Sequence, residues 1–105
     1  MPISMAAISM TEVYIKFLES RDYASRTIQS YSNNVNMLLE WLEIKNIPLL
    51  DTSYNDLLSW SRELRKQGLD AKTVNLKLRA VRLLFECLVE SGRLSKSPAE
   101  EIRIR

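Results

Sequence analysis

An all-α fold, a bundle of four main helices with a short turn at the C-terminal end, is the expectation from this sequence on three observations. Only two glycines and three prolines interrupt 105 residues, apolar positions recur at the helical period over long stretches, and few runs alternate as strands do. The length suits one domain, because halving it would leave two pieces each too small to hold a core. Hydrophobic residues make up 46% and charged residues 27%. No apolar run reaches the roughly 18 residues of a membrane helix, so a soluble chain with no membrane partner is expected. The opening MPISMAAISM has no basic region followed by an apolar core, which argues against a secretory signal and for a cytoplasmic protein.

Taken in order, the first helix is expected over about residues 11–20, with Thr11 or Ser9 as N-cap and Val13, Tyr14, Phe17 and Leu18 on its apolar face. Residues 1–8 are read as a disordered N-terminus. Ser25 is placed as the N-cap of a second helix beginning at Arg26, whose core face is Ile28, Tyr31, Val35, Leu38, Leu39 and Leu42 and which stops at Asn46 and Pro48. A third helix follows the loop at 47–52, with Thr52 or Ser53 as N-cap, Asp56 as the capping-box partner of Ser53, and Leu57, Leu58, Trp60 and Leu64 as its core face. Gly68 fits the left-handed position after this helix, with Leu69 then touching Leu64. Asp70 is the next N-cap, and the same Leu69 staples onto Val74, so the third and fourth helices form a tight antiparallel hairpin.

The fourth helix, within residues 69–92, carries two apolar arcs. Val74, Leu78, Val81, Phe85 and Val89 form one, and Leu76, Ala80, Leu83 and Cys87 form the other, so it should pack against more than one neighbour. Between them runs a polar strip of Lys72, Asn75, Arg79 and Arg82, with Glu86 and Glu90 at the far end. After Gly92 the segment RLSKSPAEEIRIR reads as a short turn and then a linker, with Pro98 blocking continuation of a helix.

Net charge is only +2, but it is unevenly spread. Between Arg62 and Arg82 stand seven basic residues (Arg62, Arg65, Lys66, Lys72, Lys77, Arg79, Arg82) against two acidic ones (Glu63, Asp70), and the rest of the chain is net acidic. The second helix has no acidic residue between Asp22 and Glu40, so its positive end is left open to an external anion. Its exposed side offers Arg26, Thr27, Gln29, Ser30, Asn33 and Asn36.

Several chemistries are unsupported. There is no histidine, the usual general base and commonest metal ligand, and the lone Cys87 sits on an apolar arc and reads as packing. Glu40, Glu43, Glu86, Glu90, Glu100 and Glu101 fall at solvent-facing positions, and the two glycines are isolated, so neither a carboxylate pair nor a phosphate loop is indicated. No catalytic residue, metal, cofactor or small-molecule ligand is expected of this chain. What remains is a binding surface, open to three readings. Either the basic strip and the acid-free second helix grip a nucleic-acid backbone, or the strip is a solvated face, with Arg82 and Glu86 paired one turn apart, or one that meets an acidic protein partner.

Four phrases add a resemblance: FLESR, then YASRTIQSYSNNVNMLLEWL, then LRKQGLDAKTVNLKLRAVRLLFECLVESGRL, and finally KSPAEEI. In this order and spacing, over roughly residues 9–102, the sequence resembles the N-terminal core-binding (SAM-like) domain of tyrosine recombinases of the phage integrase family. The resemblance implies two crossed helical hairpins on one side of a DNA duplex, the second and fourth helices facing the major groove. It makes Arg26, Thr27 and Ser30, with Lys72, Thr73, Asn75, Lys77, Arg79 and Arg82, the candidate DNA contacts. Lys77 lies toward the flank of the apolar arc, where it can instead snorkel, and Leu76 stands where relatives often carry a basic residue.

The resemblance also implies a division into a core-binding domain at 9–96 and, at 97–105, the start of a linker to a catalytic domain outside this sequence. That domain would hold the arginines, the histidine-containing motif and the tyrosine that forms a covalent 3′-phosphotyrosyl intermediate. Tyr14, Tyr23, Tyr31 and Tyr54 are read as core or helix-edge residues. The partners so implied are double-stranded DNA, the catalytic domain of the same polypeptide and other protomers of a recombination complex, serving DNA integration or recombination by a mobile element.

Overall fold

The computed structural model describes residues 5–104, with side chains from Met10 onward. Its elements are α1 (Met5–Ser20), α2 (Ser25–Ile44), one 3-10 turn (Leu49–Asp51), α3 (Tyr54–Lys66) and α4 (Ala71–Glu90), with no strand among the described residues. α1 begins at Met5, well before the expected 11. Methionine and alanine are strong helix formers, and the Thr11 hydroxyl, expected as a cap, instead donates to Asn36 Oδ1 on α2 at 2.8 Å. Of the residues expected to be disordered, 1–4 lie outside the described residues and 5–8 form the first turns of α1.

Every helix ends in the same way. The residue two past the last helical one is left-handed, Asp22 (φ 62°), Asn46 (φ 59°), Gly68 (φ 97°) and Gly92 (φ 78°) in turn. The next residue's N–H then returns to a carbonyl in the last turn: Tyr23 to Leu18, Ile47 to Leu42, Leu69 to Leu64 and Arg93 to Leu88. These are Schellman closures, which satisfy carbonyls that a helix end would otherwise leave open. α2 starts one residue earlier than expected: the Ile28 N–H donates to the Ala24 carbonyl at 2.9 Å, so Ala24 rather than Ser25 is the N-cap, and it offers no side-chain cap bond.

The remaining starts follow local chemistry. Ser53 and Asp56 form a reciprocal capping box, Asp56 N–H to Ser53 Oγ at 3.1 Å and Ser53 N–H to Asp56 Oδ2 at 2.9 Å. Asp70 Oδ1 accepts from the Thr73 N–H at 2.8 Å. Only four residues separate α3 from α4, so the two run antiparallel, as α1 and α2 do.

α4 packs against all three other helices, most extensively α2. It buries Val74, Leu78, Val81 and Phe85 as expected, but its second face is Ala80, Leu84, Cys87 and Leu88. Leu76, placed in that arc from the sequence, is 41% exposed. Leu76 begins the same i, i+4 row that continues through Ala80, Leu84 and Leu88, and burial of that row starts only at Ala80. The fully buried centre is Tyr14, Leu18, Val35, Leu38, Leu57, Trp60, Val81, Leu84, Phe85 and Leu88. Beyond Gly92 the chain turns back, and Ala99 and Ile102 are buried in the same core. The stretch read as a linker thus lies against the bundle as far as Ile104.

The Asp70 cap gives a pH-dependent prediction. Hydrogen bonds from the backbone and side chain of Thr73 hold its carboxyl below the usual carboxylate range. A depressed folded pKa stabilises above the unfolded value, about 3.9 for aspartate, and the contribution fades as pH falls through the folded value. Asp70→Ala should therefore lower the melting temperature by several degrees at pH 7, with a gap to wild type that narrows below about pH 4. Thermal melts across that range check this, and a gap that ignores pH would contradict it.

Candidate nucleic-acid interface

One of the contacts that join α2 to α4 is polar. Lys77 is 9% exposed and Asn34 is 6% exposed, and Lys77 Nζ donates to Asn34 Oδ1 at 2.9 Å, with Met37 Sδ at 3.3 Å. Burial lowers the pKa of the ammonium, since a desolvated charge is favoured less than one in water. Lys77, a candidate contact from the sequence, is therefore a bridge between two helices.

Arg82 is likewise occupied. It donates through Nη2 to the Ile102 carbonyl, holding the C-terminal segment against α4, and its Nε is buried without a partner among the described residues. The alternative role as the i, i+4 partner of Glu86 gives way to this contact. The ion pair recorded among the described residues is Arg21 to Glu90, 2.7 Å, between the end of α1 and the acidic end of α4.

The other candidates divide by exposure. Arg26 on α2 and Lys72 and Arg79 on α4 are exposed and form no ion pair among the described residues. Thr27, Ser30, Thr73 and Asn75 are half-buried, and Thr73 is engaged with the Asp70 carboxylate. Neither α2 nor α4 carries an acidic residue in its first turn. On α2, Ser30 stands one turn before Asn34, and on α4, Thr73 stands one turn before Lys77, so the bridge fixes both polar edges relative to each other. The result is a pair of helices whose N-terminal halves present Arg26, Lys72 and Arg79 without an ion-pair partner among the described residues, with Lys72 near enough to Asp70 to help lower its pKa.

Asn34 and Met37 were missed in the sequence. The available signal was Lys77 itself, because a lysine on the flank of an apolar arc requires an acceptor on the facing helix.

Tyr14, Tyr23, Tyr31 and Cys87 pack within the fold, and Tyr54 stands exposed at the start of α3. Tyr14 is fully buried and its hydroxyl donates to the Ala80 carbonyl at 2.8 Å, while burial raises the phenol pKa. Tyr23 and Tyr31 pack with ring centroids 6.0 Å apart, and Tyr54 is 39% exposed. Burial raises the Cys87 thiol pKa and keeps it protonated. No helix among the described residues is long and apolar enough to cross a membrane.

Comparison with known proteins adds three findings. Residues 11–92 match the family described as phage integrase, N-terminal SAM-like domain. The chain is 28% identical over 93 residues to tyrosine recombinase XerC of Roseiflexus sp. (strain RS-1), and 25% identical over 92 residues to tyrosine recombinase XerD of Chlorobaculum tepidum. Each alignment covers 87% of this chain but 30% of the relative, so the chain spans under a third of the length of these curated proteins. No solved structure matches it.

The Lys77 bridge predicts non-additive stability. Lys77→Met leaves the Asn34 carbonyl oxygen unpaired and should cost about 1–3 kcal/mol, and Asn34→Leu, which strands the ammonium, should cost at least as much. The double variant, apolar on both sides, should recover most of the loss. Denaturant melts of the four proteins measure the coupling, and simple addition of the two losses would refute a buried bridge.

Proposed function

The chain belongs to the phage integrase N-terminal SAM-like domain family, and from that premise we propose that it is the DNA-binding module of a site-specific tyrosine recombinase. In this reading it grips the recombination core site through the polar edges of α2 and α4. The observation that carries the proposal is the pair of helices joined by Lys77 and Asn34, with the cations Arg26, Lys72 and Arg79, none in an ion pair among the described residues, on their outer sides. Cations without carboxylate partners release counterions from phosphate on binding, and half-buried hydroxyls and amides such as Ser30 and Asn75 can reach base edges or sugar–phosphate oxygens.

Strand cleavage and rejoining are assigned to a catalytic domain elsewhere in the polypeptide, and the partners are that domain, duplex DNA and other protomers, in the cytoplasm. Tyr14, with its hydroxyl bound to Ala80 and its ring in the core, is unsuited to act as a nucleophile. A module that covers one side of a duplex binds weakly alone, because it buries only part of the full interface.

Lys72→Ala and Arg79→Ala should each weaken binding to duplex DNA and reduce the slope of log affinity against log salt by about 0.9, with the melting temperature unchanged. Arg82→Ala should instead lower the melting temperature by loosening the C-terminal segment. Salt-dependent fluorescence anisotropy with parallel melts checks this. Wild-type slopes in both α4 variants would overturn the assignment, and tight binding to an acidic protein without DNA binding would favour a protein-interaction module.

A further inference from the structure

A second basic surface lies outside the α2 and α4 candidates, in the groove between α3 and α4. Arg62, Arg65 and Lys66 recur at i, i+3 and i+4 and so share one face of α3, and this face lines the groove with Val74, Asn75 and Leu78 of α4. All three cations are exposed, and none forms an ion pair among the described residues. Arg65 and Lys66 have an ordinary role in complementing the negative end of α3. That role does not extend to Arg62, a turn earlier. The groove lining contains no acidic residue. In the turn, Asp70 accepts the α4 cap bond from Thr73 and lies near enough to Arg65 and Lys72 for both to help lower its pKa, without an ion pair to either.

Two observations identify the ligand. Val74 and Leu78 on the groove floor are already 5% and 7% exposed, so neither opens a deep apolar socket for a peptide side chain, and the charged groups lining the groove are all cations. The groove is also continuous with the α4 strip, because Asn75 lines it and also adjoins Lys72 and Arg79 on the outer surface of α4. We infer that Arg62, Arg65 and Lys66 form a second phosphate-backbone contact, which extends the DNA-facing surface from α4 across the end of α3. The inference rests on the DNA-binding reading proposed above. It assigns these residues affinity without sequence readout, as expected for contacts made to phosphate alone.

The test is binding of a short mixed-sequence duplex to the full 105-residue chain over a salt series. The triple variant Arg62→Gln, Arg65→Gln, Lys66→Gln should bind more weakly, with its salt slope reduced by about two to three, and should melt as wild type does. The charge-preserving variant Arg62→Lys, Arg65→Lys, Lys66→Arg should restore the slope, which a merely structural role would not require. A wild-type slope in the glutamine variant, alongside a reduced one in Lys72→Ala, would overturn this contact and leave the α2 and α4 reading standing. An unrestored slope in the charge-preserving variant would also overturn it. No duplex binding by the wild-type chain would remove both, as would binding only of an acidic peptide.

Discussion

A lysine ammonium withdrawn from water must find an acceptor, and in this domain the requirement falls on the contact between α2 and α4. Lys77 meets it with the Asn34 amide oxygen, across 43 positions of sequence. An apolar seam alone would let one helix slide or rotate on the other at modest expense, whereas a buried directional bond defines one register. The consequence reaches the surface. Arg26 and Ser30 are held on one helix, and Lys72 and Arg79 on the other, in a fixed relation without touching each other. The basic face is thus a property of the packing as much as of the charges.

The repeated left-handed helix ends serve the same outcome. Each closure turns the chain sharply within a few residues, so α1 lies against α2 and α3 against α4, and the two hairpins meet through α2 and α4. Glycine adopts this conformation without steric penalty, and aspartate and asparagine tolerate it better than other residues. Arg82 adds a different closure by tying the C-terminal segment to α4, where Ala99 and Ile102 enter the core. Two of the nine residues proposed from the sequence as DNA contacts, Lys77 and Arg82, are therefore the ones that assemble the scaffold.

Much of the fold was legible because its signals are local. The capping box at Ser53, the Gly68 turn and the Asp70 cap each depend on residues within five positions of one another, and each stands where the sequence put it. The left-handed Asp22 was not legible, since aspartate there is one of several residues able to cap or turn, and the start of α2 at Ser25 rests on a backbone bond, Ile28 N–H to the Ala24 carbonyl, that no residue type marks. Leu76 was misplaced because it shares the i, i+4 row of Ala80, Leu84 and Leu88, and only the neighbouring helices decide how far along the row burial extends. At the site, the exposed cations could be listed from charge distribution, but the partners of Lys77 and Arg82 come from 43 and 20 positions away. Long-range pairing of that kind leaves no periodic trace. Arg62, Arg65 and Lys66 were counted in the basic stretch without being assigned to a face, which required the position of α4 beside α3.

A bundle of this size offers few ways to hold a long polyanion, and the geometry favours a broad, shallow contact over a pocket. The central claim is that one continuous surface, from the start of α2 across the first half of α4 to the last turn of α3, meets duplex DNA. The most direct measurement is a backbone amide NMR titration of the chain with a short duplex at low salt. The account predicts shifts concentrated around Arg26 to Ser30, Lys72 to Arg79 and Arg62 to Lys66, with α1 little affected. Shifts confined to α1 and the 3-10 turn, or none at saturating DNA, would contradict it.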